Sequence, residues 1–117
     1  MLLKRNPKIT HEEFVKHHIE IHGPLFRQIP EGKAHVIRYI QTHPIKEKSE
    51  TTKVGDFDGT AELWFDSVEG LDKTLSSEFY KTKVYPDELT FLDHENTLVT
   101  LGHQVEIIGE YSENQTK

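Results

Sequence analysis

The chain has 117 residues, enough for one core and too few for two. Its 14 Lys and Arg face 20 Asp and Glu, a formal charge of -6 with no basic run to offset it, which argues against a nucleic-acid or anionic-membrane partner. The lack of cysteine excludes disulfides, thiolate catalysis and Cys-based zinc or iron–sulfur centres, and no apolar run approaches the ~20 residues of a membrane span.

A cytoplasmic protein is expected. Eight histidines are an unusual number for this length, and clustered imidazoles suggest acid–base chemistry or a metal site. Met1 to Lys4 has room only for a short strand. Asn6-Pro7 breaks the chain, and Thr10-His11-Glu12-Glu13 spells a capping box with Thr10 at the N-cap. The helix is expected to reach about His22, with Phe14, His18, Ile21 and Leu25 on one stripe, and to stop at Gly23-Pro24 through a left-handed cap. After a polar turn, Lys33 to Thr42 reads as the second strand. His35, Ile37, Tyr39, Gln41 and His43 share one side of it, because strand side chains alternate.

Pro44 to Phe57 is charged and aperiodic, and reads as a mobile loop. The third strand, Asp58 to Asp66, sets Asp58, Thr60, Glu62 and Trp64 on one side and Gly59, Ala61, Leu63 and Phe65 on the other. Ser67 caps a helix carrying Val68, Leu71 and Leu75. Ser77 restarts it with Phe79, Tyr80 and Val84, and Pro86 interrupts it. A short helical or turn segment holds Leu89, Phe91 and Leu92, and the last strand is expected from Thr97 to Ile108.

The resulting order, β-α-β-β-α-β, is the ferredoxin-like arrangement: an α+β fold with one four-stranded antiparallel sheet and two helices on one face. It forms a single domain over residues 1–111, followed by a polar tail, 112–117. The other sheet face is left bare, with Val36, Ile40, Ala61, Leu63 and Phe65 available for one side, so a homodimer is expected.

Several side chains carry chemistry. His18 and His22, four apart, share a helix face and suit a metal, but the His-Glu-x-x-His signature is missing and no metal or other cofactor is assigned. His22, in the last helical turn, is a candidate general base; the plain alternative is a helix cap. Tyr39 offers a hydroxyl to a developing enolate oxygen, or is a satisfied core tyrosine. Glu62, if buried beside Trp64, becomes an acid or base near neutrality; paired with Arg38 it is structural. Phe14, His18, Gln41, His43, Asp58 and Trp64 complete the candidate substrate-binding set around a small hydrophobic or aromatic metabolite.

Lys4-Arg5-Asn6-Pro7, Glu13-Phe14, His22-Gly23-Pro24-Leu25, Arg38-Tyr39-Ile40-Gln41-Thr42-His43, Asp58-Gly59 with Ala61-Glu62-Leu63-Trp64-Phe65-Asp66, and Phe91-Leu92-Asp93 follow one another in a pattern that resembles the EthD family of dimeric α/β-barrel proteins. The resemblance covers about Lys4 to Asp93. It implies a homodimer in which two four-stranded sheets close a barrel, with a pocket in each subunit between sheet and helices. Members include a component of alkyl-ether degradation clusters, and fungal proteins of polyketide tailoring that serve as decarboxylases or dehydratases. Related folds serve as cofactor-free isomerases of muconolactones and as polyketide cyclases.

In the methylmuconolactone isomerases, a pocket His and Tyr match the positions of His22 and Tyr39. Family members begin with a longer first strand than Met1-Leu2-Leu3, so either a shortened sheet or a start further upstream is expected. The resemblance implies a cofactor-independent enzyme: an isomerase, cyclase, dehydratase or decarboxylase acting on an oxygenated aromatic or polyketide-like metabolite. The alternatives are a non-catalytic small-molecule-binding accessory protein and, less favoured because no Asn-Trp-His-type set is evident, a monooxygenase.

Overall fold

The capping box forms as spelled: Thr10 Oγ1 accepts from the Glu13 amide at 3.1 Å, and Glu13 Oε1 accepts from the Thr10 amide at 2.8 Å. In the computed structural model, which describes residues 1–109, this box opens a helical rod. The rod comprises α1 (His11–His17), a π turn (His18–His22) and α2 (Gly23–Arg27), followed by α3 (Pro30–His35). The sheet strands are β1 (Leu2–Leu3), β2 (Val36–Thr42) and β3 (Gly59–Phe65). A second rod follows: α4 (Val68–Leu75), capped by Ser67, then a π turn (Tyr80–Val84), α5 (Tyr85–Phe91) and a 3-10 turn (His94–Asn96). The fold is α+β around a three-stranded antiparallel sheet of order β1-β3-β2.

The expected stop at Gly23-Pro24 does not occur. Gly23 keeps helical angles, φ -57° and ψ -53°, and its amide reaches back to the His18 carbonyl. Proline has no N–H, and its ring crowds the carbonyl four residues back. A turn widened by one residue just before it removes both conflicts, so the rod continues with Pro24 in the first turn of α2. The same device recurs where Tyr85 N–H bonds the Tyr80 carbonyl ahead of Pro86. The apolar stripe also differs: Ile21 is exposed, and the inward positions are Phe14, His18, His22 and Phe26.

Helix takes Lys33 to His35 as well, so β2 begins at Val36. An extra residue between Val36 and Arg38 then shifts the pairing, and Ile37 turns out to solvent at 71% exposure. Beyond it, Arg38 pairs with Trp64, Tyr39 with Leu63, Ile40 with Glu62 and Gln41 with Ala61. Partners across an antiparallel pair share a face. Tyr39, Leu63, Ala61 and Val36 pack on the helices, in cores built on Phe14 and Phe91 at one end and Phe26, Ile29 and Val84 at the other. The outer face carries Arg38, Ile40, Glu62 and Trp64. Ile40 alone among those four belongs to the residues expected there.

The expected last strand, Thr97 to Ile108, shrinks to one bridge, Leu2 with Leu98, held by amide–carbonyl bonds of 2.8 and 2.9 Å. With β1 only two residues long, the chain past Leu98 has no neighbour to pair with, and Val99, Leu101, Val105 and Ile107 stand 63–85% exposed. The expected polar tail, 112–117, lies outside the described residues.

Candidate functional site

Phe14, His18, His22 and Phe26 run along the inner face of the first rod, successive ring centroids 5.5, 6.1 and 6.5 Å apart. Phe91, from α5, closes over them at 4.6 Å from His17, 4.9 Å from His22 and 5.9 Å from His18. Imidazoles thus sit where an ordinary helix would bury leucines. Each has at least one ring nitrogen on a specific partner, as a buried polar group requires.

The Asp87 carboxylate bridges two of them, Oδ1 to His17 Nε2 at 2.8 Å and Oδ2 to His22 Nδ1 at 3.0 Å. That arrangement fixes His22 with its Nδ1 hydrogen on Asp87 and leaves Nε2 without a partner among the described residues. Burial lowers the proton affinity of His22, and Asp87 partly restores it. His18 is only 1% exposed. Its Nδ1 bonds His43 Nε2 at 2.9 Å, and its Nε2 lies 3.5 Å from the Tyr39 hydroxyl. Burial first, then positive charge on His43, His22 and His17, lowers the His18 pKa to about 3, so it is neutral at any ordinary pH.

Gln41 ties strand to helix. Its amide nitrogen donates to the His18 carbonyl at 2.8 Å and to the Tyr39 oxygen at 3.0 Å. The close approach needs Gly23: a β-carbon there would lie 3.0 Å from the Gln41 nitrogen and 3.3 Å from the His18 oxygen. Tyr39 also packs edge-on against Phe26 at 5.2 Å. Burial raises its pKa, so the hydroxyl keeps its proton and remains a donor. Tyr39 lines a groove of about 480 Å³ between α2, α3 and β2, whose walls include Gly23, Pro24, Phe26, Val36 and Gln41, with Arg27 and Lys33 also lining it. Among the described residues no carboxylate lines this groove, in a chain of net charge -6.

The fold therefore brings together Phe14, His18, His22, Tyr39, Gln41 and His43, with Phe14 as packing behind His18. It does not bring Glu62 or Trp64 to them. Both point to the outer face, where Glu62 is exposed and the Arg38 guanidinium lies 4.9 Å over the Trp64 ring. The Trp64 indole donates to Gln104 Oε1. Asp58 is buried but committed elsewhere: it accepts from the Arg5 amide at 2.9 Å, meets His11 Nδ1 at 2.9 Å and the Arg5 guanidinium at 3.5 Å, clamping the segment ahead of α1. Among the described residues no group of three or more His, Asp or Glu is placed to hold a metal.

Asp87 escapes sequence reading because its partners lie 65 and 70 positions away. Glu88, also missed, is buried against the Tyr80 hydroxyl at 2.8 Å and His94 at 3.3 Å, and burial raises its pKa. A carboxylate pair directly after Pro86 was the one available signal, and first-turn acids are ordinary in helices.

A family model for the EthD domain matches residues 6–95. The chain is 21% identical over 115 residues to the dehydratase aurZ of Gibberella zeae, across 91% of this chain and 75% of that protein. No helix among the described residues is long and apolar enough to cross a membrane.

Proposed function

Because the chain belongs to the EthD family, we propose that it is a small acid–base enzyme of the lyase or isomerase kind, most simply a dehydratase, acting on an oxygenated aromatic or polyketide-like metabolite. The observation that carries this reading is the Tyr39 hydroxyl, held by Gln41 at the groove wall with buried imidazole behind it. The name of the Gibberella zeae relative supports the dehydratase form.

Dehydration of a β-hydroxy carbonyl breaks a C–H bond beside the carbonyl and a C–O bond next to it, forms a C=C bond and releases water. One group takes the carbon's proton, and another gives a proton to oxygen. Tyr39 is assigned the donor role. His22, oriented by Asp87 and one residue behind Gly23 of the groove wall, is assigned the base. Phe26, Pro24 and Val36 suit an aromatic body, and Arg27 and Lys33 attract an acidic or phenolate end, a pull that salt screens within ~10 Å at 0.1 M.

Aromatic β-hydroxy ketones bearing a carboxylate or phenol provide the test, with water loss followed by the absorbance of the conjugated enone. Turnover at a rate that falls with added salt is the expected result. A tightly held compound recovered from the protein and never converted would favour a binding role instead.

We further propose that the four-stranded, barrel-closing arrangement is completed in a homodimer. The bare outer face of β2 and β3, and the exposed alternating apolar residues after Leu98, support it. Sedimentation should give a dimer, and a stable monomer at micromolar concentration would remove the claim.

A further inference from the structure

We propose that Tyr39, His18 and His43 form a proton wire from the main groove to a second groove beside residues 44–57, with His43 as its solvent end. This rests on Tyr39 serving a substrate oxygen as described above. His18 has no surface of its own, and its two nitrogens meet Tyr39 at 3.5 Å on one side and His43 at 2.9 Å on the other. His43 is half-buried and lines a groove of about 250 Å³ with Pro44, Val54, Phe57 and Thr60. The Tyr39 link is the long one, as catalytic hydrogen bonds often are before substrate tightens them.

Two neutral arrangements satisfy this chain of contacts. In one, Tyr39 O–H donates to His18 Nε2, and His18 Nδ1–H donates to His43 Nε2. In the other, His43 Nε2–H donates to His18 Nδ1, and His18 Nε2–H donates to the Tyr39 oxygen, which already accepts from Gln41. The Tyr39 hydrogen is then free for the groove.

When Tyr39 gives that hydrogen to a substrate oxygen, the His18 Nε2 proton moves onto the phenolic oxygen. The His43 Nε2 proton moves onto His18 Nδ1, and His43 takes one proton from water at Nδ1. One proton enters at His43, one leaves at Tyr39, and the chain has passed from the second arrangement to the first. Accepting a proton from substrate runs the same steps backwards. His18 never holds two protons, which agrees with the depression of its pKa to about 3.

The test uses protein labelled with ¹⁵N-histidine, without substrate, as wild type, His43→Gln and His43→Phe. In the wild type a ¹⁵N–¹⁵N coupling across the hydrogen bond should join His18 and His43. The His18 ring proton should exchange with solvent through His43. Glutamine keeps a polar side chain at that position but cannot relay a proton, and phenylalanine removes both functions. In each variant the coupling should vanish, and with Tyr39→Phe added to close the groove end of the wire, exchange should slow by about tenfold or more relative to Tyr39→Phe alone, because it then requires local opening.

In the Tyr39→Phe background, exchange as fast in both His43 variants as with His43 present would overturn the wire. So would a doubly protonated His18 near neutral pH. Neither result depends on whether any hydroxy ketone is dehydrated, so the wire and the proposed activity fail separately. If one variant does not fold, the other still gives the exchange rate, as His43 stands just past the end of β2.

Discussion

Acid is expected to weaken the fold by roughly 1.4 kcal/mol for each pH unit below about 6.5, because His18 is neutral when folded and cationic when unfolded. The folded pKa is about 3 and the ordinary value 6.5. Between them the unfolded chain binds a proton that the folded chain refuses. The stability contributed by neutral His18 is therefore intact above pH 6.5 and is lost progressively as the pH falls towards about 3.

Burial lowers the proton affinity of His22 and His43 as well, and so adds to the loss. Burial raises the pKa of Glu88, and protonating that carboxyl in acid works the other way. His18→Phe separates the contributions: the ring stays between Phe14 and Phe91 but does not titrate. Urea unfolding between neutral pH and pH ~4 should show a steep loss for the wild type, and a slope shallower by about one proton for the variant. A wild type whose stability does not change over that range would contradict the buried neutral imidazole.

Removing the Tyr39 hydroxyl should cost about 10²–10⁴-fold in the rate of dehydration, the range typical of a lost proton-transfer group. Tyr39→Phe keeps the ring against Phe26 and within both cores, so the fold survives and circular dichroism is unchanged. What disappears is the oxygen that accepts from Gln41 and lies 3.5 Å from His18 Nε2, on a residue that lines the groove. The fall should appear in kcat with KM little changed, because that bond strengthens as charge develops on the substrate oxygen rather than on binding. A variant that keeps most of the wild-type kcat would take Tyr39 out of the chemistry and leave it a packing residue.

The local parts of the architecture were legible. Thr10-His11-Glu12-Glu13 and Ser67 announce helix starts, and the period-two patterns around Tyr39 and Leu63 announce two strands, since caps and alternation are written within a few neighbouring residues. His22, Tyr39, His18, Gln41 and His43 could be named for the same reason. What could not be read depends on partners far away. Alternation shows that Glu62 and Ala61 face opposite ways, but only the Gln41–Ala61 and Ile40–Glu62 pairing shows which one meets the helices. Asp87 gains its meaning from His17 and His22, and nothing near it in the chain points to them. Pro24 and Pro86 misled because a proline normally ends a helix, and the widened turn that rescues each rod leaves no signature of its own.

That widened turn also sets rotational phase. In a regular α-helix a step of four residues overshoots a full turn by about 40°, so side chains four apart drift steadily around the axis. Three such steps would carry Phe26 far from the side on which Phe14 sits. A π turn holds more residues per turn, so the step from His18 to His22 falls short of a full revolution and cancels drift accumulated on either side. The extra residue in the rod thus acts as an angular correction that keeps an aromatic end, two imidazoles and the groove wall aligned along one line. Twelve regular steps of about 100° would set Phe26 about 120° round from Phe14, whereas eleven would set it only about 20° past three full turns, so the widened turn takes up one residue that a regular rod could not hold in phase.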